Sequence, residues 1–187
     1  FSRQAHPSYR QPVPALEPVR FSVTSHRGCF GGCSFCALTH HQGRIIQARS
    51  IGSVVREVTR MTKMPGFKGI VQDVGGPTAN MYGLFCDLWE TAGACRDKYC
   101  SAACRTLHTS HQAQCELLAA VRQVPGVRKV FIGSGICYDL VMADQGRYLE
   151  EICEHHVSGH LKVAPEHIVE HVTGIMNKPT REMFDRF

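Results

Sequence analysis

The sequence has no apolar run approaching the 18 or so residues that a membrane-spanning helix needs, and no apolar segment typical of a secretion signal. Internal repeats and low-complexity tracts are also missing. Neither charge dominates: 21 basic residues stand against 16 acidic ones, and this mild excess favours nucleic-acid binding only weakly, so that class of partner stays open. We therefore expect no membrane association and a cytoplasmic location.

The composition that remains is ordinary for a globular protein with one core. Of the 187 residues, 43% are hydrophobic and 20% charged, which is typical of a soluble α/β domain. Ten cysteines are the exception. Without a secretion signal, a disulfide framework is disfavoured, and cysteines kept reduced for metal binding fit better.

Three of these cysteines, Cys29, Cys33 and Cys36, stand in a glycine-rich segment, FSVTSHRGCFGGCSFC (21–36). Thiolates are the ligands that iron–sulfur clusters select, and three of them on a compact loop can hold three irons of a [4Fe–4S] cluster. One iron would then be open to a substrate or cofactor. Phe35, beside the third cysteine, would shield the cluster and lie against a flat ring. A zinc site completed by His26 or His40 is the alternative.

The remainder of the chain alternates predicted strands with predicted helices. After a proline-rich linker (1–19), the sequence pattern predicts strands at 19–25, 67–74, 127–132 and 160–164 and helices at 51–64, 111–124, 145–156, 168–175 and from 181 onward. Residues 37–49 are predicted as a loop that ends in a short β-element. In folds built from βα units, sites form at the carboxyl ends of the strands.

Residues 81–115 interrupt this alternation and are predicted to be an insertion. It carries cysteines at the spacing Cys95-x4-Cys100-x3-Cys104, with Cys86 upstream. A small lobe without an apolar core gains folding free energy from a metal, so these four residues are candidate ligands of a second iron–sulfur cluster or of a structural zinc. Free or buried thiols without metal are the alternative.

Several motifs together carry a resemblance to a known family. The spacing Cys-x3-Cys-x-aromatic-Cys matches the signature of the radical S-adenosylmethionine superfamily. The segments DVGGPTANMYG (73–83), GSGICYDL (133–140), LKVAPEH (161–167) and MNKPT (176–180) look like its YgiQ-type family. The resemblance implies that the chain is a fragment of a longer protein. Residues 1–19 would link to a missing N-terminal domain, and 20–187 would form about four βα units of a partial (β/α)6 TIM-like barrel.

The resemblance also implies an activity. A [4Fe–4S] cluster on Cys29, Cys33 and Cys36 would bind S-adenosylmethionine and cleave it reductively to a 5′-deoxyadenosyl radical, which takes a hydrogen atom from an unidentified substrate. The electron would come from a donor such as flavodoxin or ferredoxin. A zinc- or iron–sulfur-binding module for RNA or for electron transfer, without this chemistry, is the alternative function.

Further site residues follow from the same resemblance. Beside Phe35, contacts to the cofactor are expected from Gly75, Gly76, Ser134 and Glu166, and a contact to cofactor or substrate from Lys178. Two positions depart from the family pattern: Pro77 stands where the superfamily has glutamate, and Cys137 where the family usually has arginine. Tight turns at the glycines and helix capping by Glu166 are the structural alternatives.

Overall fold

The computed structural model describes residues 5–96, 100–144 and 146–187. Its regular elements are short and alternate along the chain. The strands are β1 (Ser22–Thr24), β2 (His26–Arg27), β3 (Gln47–Ala48), β4 (Ile70–Val71), β5 (Asp73–Gly75), β6 (Phe85–Cys86), β7 (Leu107–His108) and β8 (Lys129–Val130). The α-helices are α1 (Leu38–Gln42), α2 (Ile51–Met61), α3 (Gln112–Arg122), α4 (Tyr138–Ala143), α5 (Tyr148–His155), α6 (Glu170–Met176) and α7 (Arg181–Arg186).

Parallel pairing joins the predicted strand segments in chain order. β1 pairs with β5 from Ser22–Asp73 to Thr24–Gly75, and β4, which belongs to the same extended segment as β5, pairs with β8. A single parallel bridge between Ile136 and Val163 continues the series. The first three predicted strands are therefore present but shorter than predicted, whereas 160–164 contributes only this bridge. Pro165, which has no N–H, directly follows this segment.

Helices α2 and α3 pack against these strands. Ser50 caps α2 by accepting a hydrogen bond from the Ser53 N–H, as its position before an apolar-periodic segment predicts. Val54, Val58 and Met61 of α2 are buried in the same core as Leu117, Leu118 and Val121 of α3. Spacing of three and four residues places such side chains on one helix face, which explains why the sequence located both helices.

One helix lies where the sequence predicted a loop. α1 occupies five residues directly after the cysteine loop and ends at Gly43, whose φ is 84°. Five residues are too few for an apolar period to be detectable, so local sequence gave no signal for it. The short element predicted near its end is confirmed as β3, which pairs antiparallel with β2.

The insertion has its own small architecture. β6 and β7 pair antiparallel, with Phe85 opposite His108, and a second apolar cluster lies beneath them. That cluster joins Leu84, Cys86 and Leu107 of the insertion to Cys29 and Phe30 of the cysteine loop. In the part of the chain that the structure describes, every helix is too short or too polar to cross a membrane.

Candidate functional site

The cysteine loop lines a cavity of about 430 Å³, hereafter the main cavity. Cys29, Cys33 and Cys36, hereafter the loop thiols, all contribute to its wall; Cys29 is buried and the other two are half-buried. Burial raises the pKa of Cys33, the Lys178 ammonium opposes that shift, and the other two loop thiols reinforce it. The three sulfur atoms thus lie close enough to act on one another electrostatically.

Backbone geometry fixes the shape of this loop. Gly28 has a φ of +90°, and a side chain there would collide with the Ile45 carbonyl. The Cys29 N–H donates to the Gly43 carbonyl at 3.0 Å, which closes the loop at the end of α1. The sequence predicted a tight glycine turn here. In the structure, the positive φ of Gly28 and the hydrogen bond from Cys29 to Gly43 account for it.

A turn from the far end of the chain holds the loop from outside. The Asn177 side-chain amide donates to the carbonyls of Gly31 and Gly32 at 3.3 and 3.0 Å, and the Ser34 hydroxyl donates to the Ile175 carbonyl at 2.7 Å. Asn177 itself has left-handed backbone geometry, with φ 54°. These contacts were not foreseen, because no local pattern relates residue 177 to residue 31.

Lys178 and Glu166 lie together at the cavity wall. The Lys178 ammonium is 5.6 Å from the centroid of the Phe35 ring, 3.7 Å from the Glu166 carboxylate, and donates to the Ala164 carbonyl at 2.8 Å. Glu166 has φ 64°, which non-glycine residues rarely adopt and which concentrates at functional sites. The structure therefore brings Phe35, Glu166 and Lys178 together with the loop thiols around one cavity.

The glycine turn after β5 is placed differently. Gly75, Gly76 and Ser134 line a second cavity of about 390 Å³, and Pro77 borders both cavities. The Ser134 hydroxyl donates to the Asp73 carboxylate, which also accepts from the Gly133 N–H at 2.8 Å. The structure does not group these three predicted cofactor residues with the loop thiols in one cavity wall.

His26 explains why Gly76 lacks a side chain. A Cβ atom on Gly76 would lie 2.5 Å from the His26 ring. That ring is buried, with Nε2 3.1 Å from the Thr78 carbonyl oxygen and Nδ1 3.0 Å from the Ser25 hydroxyl. Desolvation lowers the pKa of His26 to about 4. Both ring nitrogens are already hydrogen-bonded, which disfavours His26 as the fourth ligand of a zinc site.

Asn80 is a site residue that the sequence did not reveal. Its side-chain oxygen accepts from the Cys137 N–H at 2.7 Å, and its side-chain nitrogen donates to the Cys137 carbonyl at 2.9 Å. The same nitrogen lies 3.1 Å from Nε2 of the buried His111. This double contact fixes the Cys137 backbone at the cavity wall, where the Cys137 thiol donates to the Asp139 carboxylate at 2.8 Å.

The four cysteines of the insertion, Cys86, Cys95, Cys100 and Cys104, are hereafter the insertion thiols. Cys86 is buried and the other three are half-buried. Cys100 and Ser101 also line the main cavity, so the insertion forms part of its wall. Burial raises the pKa of Cys100. The positive charge of Arg44 opposes this shift, and the other insertion thiols add to it.

Neither group of thiols has the geometry of a single-ion site. Across residues 5–96, 100–144 and 146–187, no three His, Cys, Asp or Glu side chains are close enough together to hold one metal ion. Tetrahedral zinc requires sulfur atoms within about 4 Å of one another, because each Zn–S bond is about 2.3 Å. A four-iron cluster is larger, so its thiolates stand further apart. Three mutually interacting thiols on a glycine-rich loop fit such a cluster chemically.

Fold and site together define an α/β protein with a cysteine-lined cavity at the ends of parallel strands. The chain matches no family model. Along its whole length it is 55% identical to a UPF0313 protein of Methanosarcina acetivorans, 56% to one of Methanocella arvoryzae and 50% to one of Clostridium botulinum strain Okra. UPF0313 is the name of the YgiQ-type family, so these relatives agree with the resemblance at that level.

The chain spans between 25% and 31% of the length of these relatives. Their names state no reaction, substrate or cofactor.

Proposed function

We propose that this chain is the cofactor-binding part of a radical S-adenosylmethionine enzyme. The carrying observation is that three thiols at the superfamily spacing share one cavity with Phe35, Glu166 and Lys178. That cavity, about 430 Å³, has the size of a typical small-molecule site. Similarity to UPF0313 proteins along the whole chain supports the same proposal.

The loop thiols are the residues that would hold a [4Fe–4S] cluster. When bound, the cluster supplies the electron that cleaves S-adenosylmethionine into methionine and a 5′-deoxyadenosyl radical, which then abstracts a hydrogen atom from substrate. The protein's part is to bind, orient and shield. Gly28 and Gly43 close the loop from inside, and Asn177 and Ser34 fix it against the turn at 175–178.

The polar wall of the cavity offers complementary charges to a zwitterionic cofactor. Lys178 presents an ammonium group and Glu166 a carboxylate, 3.7 Å apart and beside the Phe35 ring. A carboxylate of the cofactor would pair with Lys178, a ribose hydroxyl with Glu166, and the adenine face with Phe35. Gly75, Gly76 and Ser134 belong in this proposal to the supporting turn, since Ser134 is bonded to Asp73.

In this proposal the fold is part of a larger barrel. The parallel pairs β1–β5 and β4–β8 and the bridge at Val163 add segments in chain order, as βα units of a (β/α)6 barrel do. The cluster needs a one-electron donor, for which a flavodoxin or ferredoxin in the cytoplasm is the proposed partner.

The test uses the full-length protein, reconstituted without oxygen using iron and sulfide. We expect a brown protein that forms 5′-deoxyadenosine from S-adenosylmethionine when dithionite is added. The Cys33→Ala variant is expected to form none. A colourless, zinc-loaded protein that yields no 5′-deoxyadenosine would refute the proposal and favour a zinc-binding module instead.

A further inference from the structure

The insertion thiols converge on one region although 18 residues of sequence separate the first from the last. Cys86 and Cys104 both lie near one hydroxyl: their sulfur atoms are 3.3 and 3.4 Å from the Thr106 oxygen. Cys100 and Cys104 pack against the apolar cluster to which Cys86 belongs. Three cysteines from separate points of the insertion thus meet at Thr106 or at the same apolar cluster, and the carbonyl of the fourth, Cys95, accepts a hydrogen bond from Arg44.

A cation and polar groups surround these thiols. Arg44, from the segment after α1, donates a hydrogen bond to the Cys95 carbonyl, which places its guanidinium beside the insertion thiols. A set of four thiolates around ferric and ferrous iron carries net negative charge, so a neighbouring guanidinium stabilises it. Arg44 is therefore placed where it would offset the negative charge of a bound cluster.

The segment that carries the insertion thiols has little regular secondary structure. Between β6 and β7 the described backbone forms turns, and the hairpin itself is only two residues long on each strand. A lobe of this kind obtains little stability from its own hydrogen bonds and burial. Metal ligation would supply the missing free energy of folding.

We propose that the insertion thiols hold a second iron–sulfur cluster, separate from the one proposed on the loop thiols. Four thiolates are the full ligand set of a [4Fe–4S] cluster, which would leave no iron open to a cofactor. Four thiolates are also a ligand set of structural zinc, and the metal count described below separates the two. The binding of this cluster does not depend on the function proposed for the first.

Cys100 connects the proposed second metal site to the cavity of the loop thiols. It belongs to the insertion thiols and also lines the cavity that the loop thiols occupy. Phe30, from the cysteine loop, packs against Trp89, from the insertion, with ring centroids 6.1 Å apart. The second cluster would therefore sit behind the wall of the proposed cofactor cavity, with aromatic side chains at the boundary.

The experiment counts iron, sulfide and zinc in the full-length protein after anaerobic reconstitution. The unmodified protein should bind about eight irons, and the triple variant Cys29→Ala, Cys33→Ala, Cys36→Ala about four, because a cubane holds four. The triple variant should also keep a reducible cluster visible by electron paramagnetic resonance. One zinc in place of iron in that variant, or neither metal, would overturn the proposal.

The double variant Cys86→Ser, Cys104→Ser tests the same site by removing two insertion thiols while the loop thiols are kept. It should bind about four irons, whereas the matched control Cys153→Ser, which changes an exposed cysteine on α5, should keep about eight. About eight irons in the double variant would also overturn the proposal. This variant decides the matter if the triple variant fails to fold, and its response to S-adenosylmethionine reports separately on the loop cluster.

Discussion

The loop thiols and the insertion thiols, each proposed to hold an iron–sulfur cluster, are positioned in different ways. Eight consecutive residues carry the loop thiols, and contacts from residues 175–178, far along the chain, hold them in place. Nineteen residues carry the insertion thiols, and their neighbours Thr106 and Arg44 come from the insertion itself and from the segment just after α1. The first group faces a large cavity, whereas the second packs against an apolar cluster.

The difference teaches what each group is suited for. A site that must admit a cofactor needs an open wall, so its ligands are placed on a glycine-rich loop and stabilised from outside. A site that only has to be stable can surround its metal with four ligands and apolar side chains. Substitutions that separate the two groups are therefore the most informative.

The largest expected effect is the loss of S-adenosylmethionine cleavage when a loop thiol is replaced, with the loop cluster retained when an insertion thiol is replaced. Cys33→Ala should abolish formation of 5′-deoxyadenosine, because it removes one of three ligands to the reactive cluster. Cys100→Ala should leave the loop cluster in place, detected as a change of the reduced cluster's paramagnetic resonance spectrum on adding S-adenosylmethionine. Equal loss of iron at both groups in both variants would contradict the division into two sites.

Asn80 holds the Cys137 backbone at the cavity wall, and its removal should lower the stability of the fold. Asn80→Ala leaves the part-buried Cys137 N–H without its partner and removes one of two donors to the Cys137 carbonyl, which still accepts from the Val141 N–H, and is expected to cost about 2 kcal/mol in the free energy of unfolding. Denaturation in urea measures it. The control Gln112→Ala removes an exposed bond to Glu116 and should cost less than about 0.5 kcal/mol. Similar losses in both variants would contradict the role assigned to Asn80.

The fold is expected to lose stability in acid because of His26, which lies just before the cysteine loop. Burial lowers the pKa of His26 from 6.5 to about 4, so between these values the unfolded chain binds a proton that the folded chain does not. The free energy of unfolding should therefore fall as the pH drops from 6.5 towards 4, by up to about 3 kcal/mol. Burial lowers the pKa of His111 and His156 too, which adds to the trend.

His26→Gln isolates the share of this one histidine. The variant should show a shallower loss of stability between pH 6.5 and pH 4, measured by urea denaturation at several pH values. An unchanged slope would mean that protonation of His26 is not opposed by the fold.

Lys178 should have a moderate effect on cofactor binding and none on the insertion thiols. Lys178→Met removes the charge near Phe35 and the bond to the Ala164 carbonyl, and should weaken binding of S-adenosylmethionine about tenfold. Equilibrium binding to the reconstituted protein measures it. Lys63→Met, at an exposed position after α2, is the matched control. Equal affinities in the two variants would contradict a role for Lys178 in the cavity.

The smallest effect is expected far from both groups. Ser50→Ala removes the cap of α2 and should lower the free energy of unfolding by about 1 kcal/mol, measured by urea denaturation. Iron content at both groups should stay the same. A loss of iron would mean that the metal centres depend on the general stability of the fold more than on their own ligands.

The part of the site that the sequence predicted is the part that is local in sequence. The spacing of the loop thiols, the cap at Ser50 and the apolar period of α2 are all visible within a dozen residues. The contacts of Asn177 with Gly31 and of Asn80 with Cys137 depend on tertiary packing, and no periodic pattern encodes them. The cofactor contact expected of Ser134 from its position at a strand end stays a prediction, and the bond from its hydroxyl to Asp73 is a tertiary contact that the sequence did not reveal.

Fold prediction had the same limits. The segments that became β1, β4–β5 and β8 were recognised from apolar composition, but their length was overestimated, because few residues in each segment pair with a neighbour. The short α1 was missed, since five residues show no period.

The bond between Asn177 and Gly32 has a consequence for how the protein is made, since 145 residues separate its partners. A ribosome adding about 5–20 residues per second needs roughly 7 to 30 seconds to add that many residues. During this interval the loop thiols have emerged, while the turn that fixes them has not. Completion of the loop therefore follows synthesis of the turn, and the nascent chain depends on a reducing surrounding until then.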